Sequence, residues 1–254
     1  MHKRGNMVVR IHQAVSFHVL MTRIPKAEAV FWPGCALMTL DPAILNRTLE
    51  VLKRADPEMQ LAAACCGNPT VSLFPEQVEQ RKQKLLTLLN KQGVKRIYTA
   101  CPNCTLQLRA YGLDVKSIWP VLAVHLTKND LVPDSGSYIW HDPCPTRKDT
   151  VQQEAVRRIL ALRGCDCAQP EHTGCKTLCC GNRNMLHCTD PETSRKIRER
   201  RLSEFPVERT IASSCEGCLS AFRGAGRDTA HLLEILFGKS KSRGWGNRLK
   251  NTWK

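Results

Sequence analysis

The chain has 254 residues, enough for two domains, and its 42% hydrophobic and 24% charged residues describe a folded protein rather than a disordered or fibrous one. Fourteen cysteines exceed what packing needs, no run approaches the length of a spanning helix, and the N-terminus lacks the apolar stretch of a secretory signal; metal or redox chemistry in a reducing, cytoplasmic setting is therefore expected rather than structural disulfides. The net charge of +15 is concentrated at the ends, since residues 1–26 and 239–254 hold eleven basic and no acidic residues, which argues against a nucleic-acid reader and suits an acidic protein partner or an anionic membrane surface.

Residues 1–29 read as a basic N-terminal extension, in which Val8 to Met21 forms a candidate amphipathic docking helix. Val30-Phe31-Trp32 is an apolar strand that delivers Cys35. Asp41-Pro42 supplies an N-cap and a first helical residue, predicting a helix to about Arg54. A second helix follows Pro75 and runs through Leu85, Leu86, Leu88 and Leu89 to Gln92, where Gly93 stops it. Val94 to Ala100 then reads as a strand ending at Cys101-Pro102-Asn103-Cys104, with Pro102 opening the next helix. The turn-rich stretch 128–136 marks a join. Beyond it, Tyr138-Ile139-Trp140 leads to Cys144, Pro191 to Phe205 is a helix, and Val207 to Ser214 is a strand ending at Cys215-Glu216-Gly217-Cys218. Residues 239–254 form a basic tail with Trp245, Leu249 and Trp253.

The cysteines show that one unit is written twice. Cys35, Cys65-Cys66-Gly67 and Cys101/Cys104 are matched by Cys144, Cys179-Cys180-Gly181 and Cys215/Cys218. The double cysteines and the Cys-x-x-Cys pairs repeat at an offset of 114 residues, whereas Cys35 and Cys144 are offset by 109, so the second copy has five extra residues before its double cysteine. Asn68/Asn182, Ile97/Ile211, Arg109/Arg223 and Gly112/Gly226 match at the same 114. The expected fold is α/β: two tandem pseudo-repeated domains, 30–133 and 134–238, each with a small, mainly parallel sheet and a cysteine-bound metal site at the carboxyl ends of its strands.

Thiolates are soft ligands suited to zinc and to iron–sulfur assemblies. Five per copy exceed the four of a tetrahedral zinc site or an ordinary cubane, which favours a larger, open, multi-iron cluster. The order Cys, Cys-Cys-Gly, Cys-x-x-Cys, present in full in both copies, resembles the cysteine-rich CCG-domain iron–sulfur proteins, which include the catalytic (B-type) subunit of heterodisulfide reductase and the iron–sulfur subunits of glycolate and lactate oxidation systems. The resemblance implies a noncubane [4Fe-4S] cluster on Cys35, Cys65, Cys66, Cys101 and Cys104, and a second on Cys144, Cys179, Cys180, Cys215 and Cys218. One or two clusters per chain are expected, with zinc as an alternative at one site.

The function so implied is that of an oxidoreductase subunit in a heterodisulfide-reductase-like complex, passing electrons to a disulfide and reducing each half with one electron. The alternative is a non-catalytic electron-transfer or assembly subunit of a quinone-linked or hydroxyacid-oxidising complex, with one or both sites structural. No ferredoxin-type Cys-x-x-Cys-x-x-Cys-x-x-x-Cys-Pro run is present, so the electron donor is expected on a ferredoxin-like or flavoprotein subunit of a hetero-oligomer, with a membrane-associated partner and a location peripheral to the membrane also in view. His141 is a candidate proton donor beside the second site. Trp32 and Trp140 read as packing around the clusters, Asn103 and Glu216 as tuning hydrogen bonds to sulfur, and His231 as a helix cap. Cys165, Cys167, Cys175 and Cys188 offer either an additional zinc or redox site or spare thiols.

Overall fold

The computed structural model describes residues 3–253, which divide into two compact units: residues 3–118 with 241–253, and residues 119–240. Both units are α/β with a fully parallel four-stranded sheet, as the alternation of apolar strands and helices implies.

In the first unit, α1 (Lys3–Ser16) precedes β1 (Ala29–Trp32), α2 (Pro42–Leu52), β2 (Gln60–Leu61), α3 (Asn68–Leu73), α4 (Val78–Lys91), β3 (Arg96–Thr99), α5 (Pro102–Ala110) and β4 (Val115–Ser117). Asp41 caps α2 by accepting from Ala43 N–H at 3.0 Å, with Pro42 in the first turn. The strand order is β2-β1-β3-β4, and every residue of β1 is buried. A parallel strand covered on both faces has to read as an unbroken apolar run, and Ala29-Val30-Phe31-Trp32 does. α1 is tied to this unit rather than held away from it: Gln13 accepts from Thr70 Oγ1 at 2.6 Å and from Arg81 Nη1 at 2.7 Å.

The second unit repeats the plan. α6 (Ile118–His125), β5 (Ser137–His141), α7 (Thr150–Arg163), β6 (Asp166–Ala168), α8 (Leu186–Thr189), α9 (Pro191–Leu202), β7 (Thr210–Ser213), α10 (Glu216–Arg223), β8 (Thr229–His231) and α11 (Leu232–Phe237) follow in order. The strand order β6-β5-β7-β8 is that of the first sheet. His231 caps α11, accepting from Leu233 N–H at 3.2 Å.

Two boundaries fall away from their expected places. The first unit ends near residue 118, not 133, because residues 119–133 pack with the second: the Trp119 ring lies 6.0 Å from that of His231, and Val132 N–H donates to the Leu236 carbonyl at 3.1 Å. The basic stretch 239–254 is not a free tail, since residues 241–254 belong to the first unit and a C-terminal helix, Trp245–Thr252, packs there. Asn251 Nδ2 donates to the carbonyls of Met38 (2.9 Å) and Leu40 (3.0 Å), clamping the turn that follows Cys35. Among the described residues no helix is long and apolar enough to cross a membrane.

Candidate metal centres

In each unit three strands end in cysteine loops. β1 and β5 lead to Cys35 and Cys144, β2 and β6 to the double cysteines, and β3 and β7 to the Cys-x-x-Cys pairs. All ten thiols therefore sit at the carboxyl ends of parallel strands, where open α/β sheets place ligands. Cys101 and Cys215 occupy N-cap positions, and Cys104 and Cys218 lie in the first turns of α5 and α10; the hydrogen bond with Cys218 pulls the Cys215 thiol down, while neighbouring thiols and burial push Cys104 and Cys218 well up.

The thiols touch in the same sequence in both units. In the first, the free thiol of Cys35 hydrogen-bonds with Cys65, Cys65 with Cys66, Cys66 with Cys104 and Cys104 with Cys101. In the second, Cys144 Sγ lies 3.8 Å from Cys179 Sγ, and the contacts continue through Cys180 and Cys218 to Cys215. The glycine after each double cysteine has φ of 82° (Gly67) and 83° (Gly181), a conformation that lets its N–H turn back onto the first sulfur of the pair; Gly181 N lies 3.3 Å from Cys179 Sγ.

Such crowding divides the protons unevenly. Hydrogen bonds from Cys104 and Cys65 pull the Cys66 thiol down to about 6. The hydrogen bond with Cys35 favours the Cys65 thiolate, but Cys66 and burial outweigh it and push Cys65 up to about 12. In the second unit Cys144 and Cys180 hold Cys179 far below the usual thiol range, while the hydrogen bond to Cys179 pushes Cys144 up. Neighbours thus stabilise a thiolate within each group while raising the cost of ionising the others. A bound cation removes that conflict, because metal ligation and deprotonation are coupled. Space is also set aside: a Cβ added at Gly34 would stand 2.9 Å from Cys101 Cβ and 3.2 Å from Cys104 Sγ. The donor set fits a thiolate-bound metal or iron–sulfur group.

Beside the second group stands His141, as the sequence suggested, backed by a polar frame built on Arg201 and Asp142 that sequence reasoning missed. His141 is fully buried, edge-on to Phe222 with ring centroids 5.0 Å apart, and forms with Cys180 and Cys218 a trio whose ligand atoms all lie within 4.8 Å of one another. Its Nδ1 accepts from Arg201 Nε at 3.1 Å, and its Nε2 is buried without a partner. Burial, reinforced by the Arg201 charge, pushes the imidazole down to about 3. Arg201 is in turn held by the His172 carbonyl (2.8 Å) and Glu204 (2.7 Å). Asp142 accepts from Trp140 Nε1 (2.8 Å), Arg157, Thr173 Oγ1 (2.8 Å) and Gly174 N–H (2.8 Å). Burial pushes its carboxyl up, yet Arg157 and these donors hold it well below the usual carboxylate range. Asp142 thereby fixes the loop between β6 and Cys179, where the second copy is longer than the first.

Trp140 is accordingly a strut for Asp142, and the counterpart of Trp32 is not Trp140. Trp32 pairs with Thr99 in its sheet and His141 with Ser213 in its own, so the sheet register makes Trp32 and His141 equivalent. Trp32 Nε1, like His141 Nε2, is buried without a partner, and Trp32 belongs to the same core cluster as Cys66 and Cys104. Glu216 pairs with Arg223.

The four remaining cysteines do not gather into a further site. Cys165 and Cys167, both free thiols, share a hydrogen bond at the amino end of β6, the end of the strand away from the centre, while Cys175 is exposed and Cys188 Sγ lies 3.2 Å from His187 Nε2. Among the described residues, the one trio of metal-ligand size is His141, Cys180 and Cys218.

No match is found among curated proteins. Solved structures similar to it include an aspartate racemase from Picrophilus torridus (12% identity over 88% of this chain and 98% of that one, TM-score 0.35). Another is a glutamate racemase isoform from Bacillus anthracis (12% identity over 82% and 77%, TM-score 0.33). Likeness at that level is no guide to fold or chemistry. A family model, the CCG cysteine-rich domain, matches residues 29–109 and again 138–223, spanning the thiol groups of both units. The chain belongs to the family of cysteine-rich CCG-domain proteins and carries two copies of that domain.

Proposed function

We propose that this protein is an iron–sulfur redox subunit holding one noncubane [4Fe-4S] cluster in each unit, on Cys35, Cys65, Cys66, Cys101 and Cys104 and on Cys144, Cys179, Cys180, Cys215 and Cys218. The observation that carries the reading is the same five-thiol chain of contacts, built twice at the carboxyl ends of equivalent sheets. Bound there, a cluster supplies one-electron redox chemistry. A ferredoxin-like or flavoprotein subunit delivers the electrons, and the acceptor is a disulfide, whose reduction takes two electrons and two protons to give two thiols.

The chain's own residues shape that chemistry. Arg201 Nε–H occupies His141 Nδ1, so the neutral imidazole keeps its proton on Nε2, the nitrogen left without another partner. In that state Nε2 would donate a hydrogen bond to a sulfur of the bound cluster instead of ligating a metal. Trp32, whose indole nitrogen is only ever a donor, stands at the equivalent place in the first unit. Such donors stabilise the more negative, reduced state and set the potential of their centre.

The test is iron, zinc and acid-labile sulfide per chain in protein purified without oxygen, with EPR before and after mild oxidation. About eight irons with matching sulfide are expected. Zinc alone would overturn the redox reading and leave a structural, assembly-subunit role.

A further inference from the structure

The C-terminal helix is built inside out. Its inward face is polar: Asn247, Arg248, Asn251 and Thr252 are all buried, with Asn247 and Asn251 bonded to the turn at 38–40 and Arg248 Nη1 to Ser16 Oγ at 3.0 Å. Its outward face is apolar: Trp245, Leu249 and Trp253 are 45%, 42% and 54% exposed. Spacings of four residues put these three on one stripe, about 12 Å long at 1.5 Å per residue. Trp253 Nε1 donates to the Leu20 carbonyl at 2.8 Å, which sets Leu20 (54% exposed) and the neighbouring Val19 against the end of the stripe. Lys241, Arg243 and Lys250 are exposed on the same segment, and neither 1–26 nor 239–254 contains an acid.

An amphipathic helix in water normally turns its apolar side to the core. Here polar side chains hold the helix in place and the apolar side is left outside, so its fit is to something beyond this unit. We propose that this stripe docks on an anionic membrane surface, with Trp245, Leu249, Trp253 and Leu20 entering the headgroup boundary and Lys241, Arg243 and Lys250 meeting lipid phosphates. Aromatic and leucine tips flanked by lysine and arginine are the composition of interfacial helices. The stripe is short for a standard protein interface of roughly 800 Å² per partner, whereas an interfacial helix needs only a few apolar side chains aided by basic ones. Each Lys or Arg near an anionic surface strengthens attachment roughly fivefold.

The test is co-sedimentation of the full chain with vesicles of phosphatidylcholine alone and of phosphatidylcholine with phosphatidylglycerol, at low and high salt. Binding is expected to the anionic vesicles only, to fall as salt rises, to weaken roughly fivefold in Lys250→Gln, and to weaken further in Leu249→Ser. Both residues are exposed and outside the inner face, so melting temperature and metal content should match the parent. With brominated lipid in the vesicles, tryptophan fluorescence of the parent should be quenched. Equal binding to neutral vesicles, unchanged binding by both variants, or absence of quenching overturns the proposal. Capture on immobilised polyglutamate without binding to vesicles also overturns it, in favour of an acidic protein partner.

Discussion

Trp32 and His141 occupy the same place in two copies of one sheet, opposite Thr99 and Ser213 respectively, and each ends in a buried ring nitrogen that has no partner among the described residues. One is an indole and the other an imidazole fixed from behind by Arg201. A pair of donors at matched positions is expected to act on sulfur in both centres.

If so, removing either N–H should lower the potential of its own centre only. Trp32→Phe and His141→Phe are each expected to shift the one-electron equilibrium about tenfold, which is about 59 mV, as read by redox titration followed by EPR. His141→Gln keeps an amide donor and should recover most of the shift. Loss of metal in both His141 variants would instead identify His141 as a ligand.

Each unit assembles its thiols from its own loops, so the centres should be lost one at a time. Cys66→Ala should abolish the first and leave the second, Cys180→Ala the reverse, each retaining about four irons. Iron and sulfide analysis of the two variants checks this. Full iron content in both would refute the proposed ligand sets.

Gly181 has φ of 83°, and a Cβ there would fall onto the Ser194 carbonyl. Gly181→Ala should destabilise the second unit by about 2–4 kcal/mol. Gly226 has φ of 79° but open space around it, so Gly226→Ala should cost only about 1 kcal/mol. Denaturant midpoints of the two variants separate backbone strain from steric overlap.

Asp142 holds the loop before Cys179 through Trp140, Arg157, Thr173 and Gly174. Asp142→Asn removes the charge that Arg157 pairs with and presents an amide to donors. A loss of about 2 kcal/mol is expected, less than for a fully buried pair because Arg157 is partly exposed. Chemical denaturation measures it, and proteolysis within 169–178 should be faster.

The hydrogen bond from Cys167 pulls the Cys165 thiol down to about 7. Because the shift is downward, Cys165 should already be largely thiolate at pH 8, where an ordinary thiol is mostly protonated. Its alkylation rate should rise around pH 7, ahead of Cys188, which burial pushes up. Cys165→Ser should leave the metal content unchanged, since that pair lies at the far end of β6.

The thiol groups were readable from sequence because strand, loop and helix repeat at nearly fixed length around them; the offset of 114 identified eight of the equivalent thiols, and the separation of 109 between Cys35 and Cys144 the remaining two. The strands and the helices after Asp41, Pro75 and Pro191 were readable for the same local reasons, though short α3 has no apolar periodicity to announce it. The Trp32–His141 equivalence was hidden because β5 follows the other offset, and a tryptophan beside each first cysteine suggested the wrong partner. Arg201 and Asp142 gave no signal either. Arg201 sits in the charged run Arg198-Glu199-Arg200-Arg201, and only the packing of α9 selects which arginine is buried. Ile118 to His125 is apolar throughout, so its pattern could not say which unit it would join.

The first unit is discontinuous in sequence, and its missing piece is the clamp on the turn after Cys35. A chain emerging from the ribosome therefore completes residues 119–240, with the second set of thiols, before residues 244–251 exist to secure the first. Assembly order is written into the connectivity: the second set of thiols can come together before the first, which waits for residues 244–251.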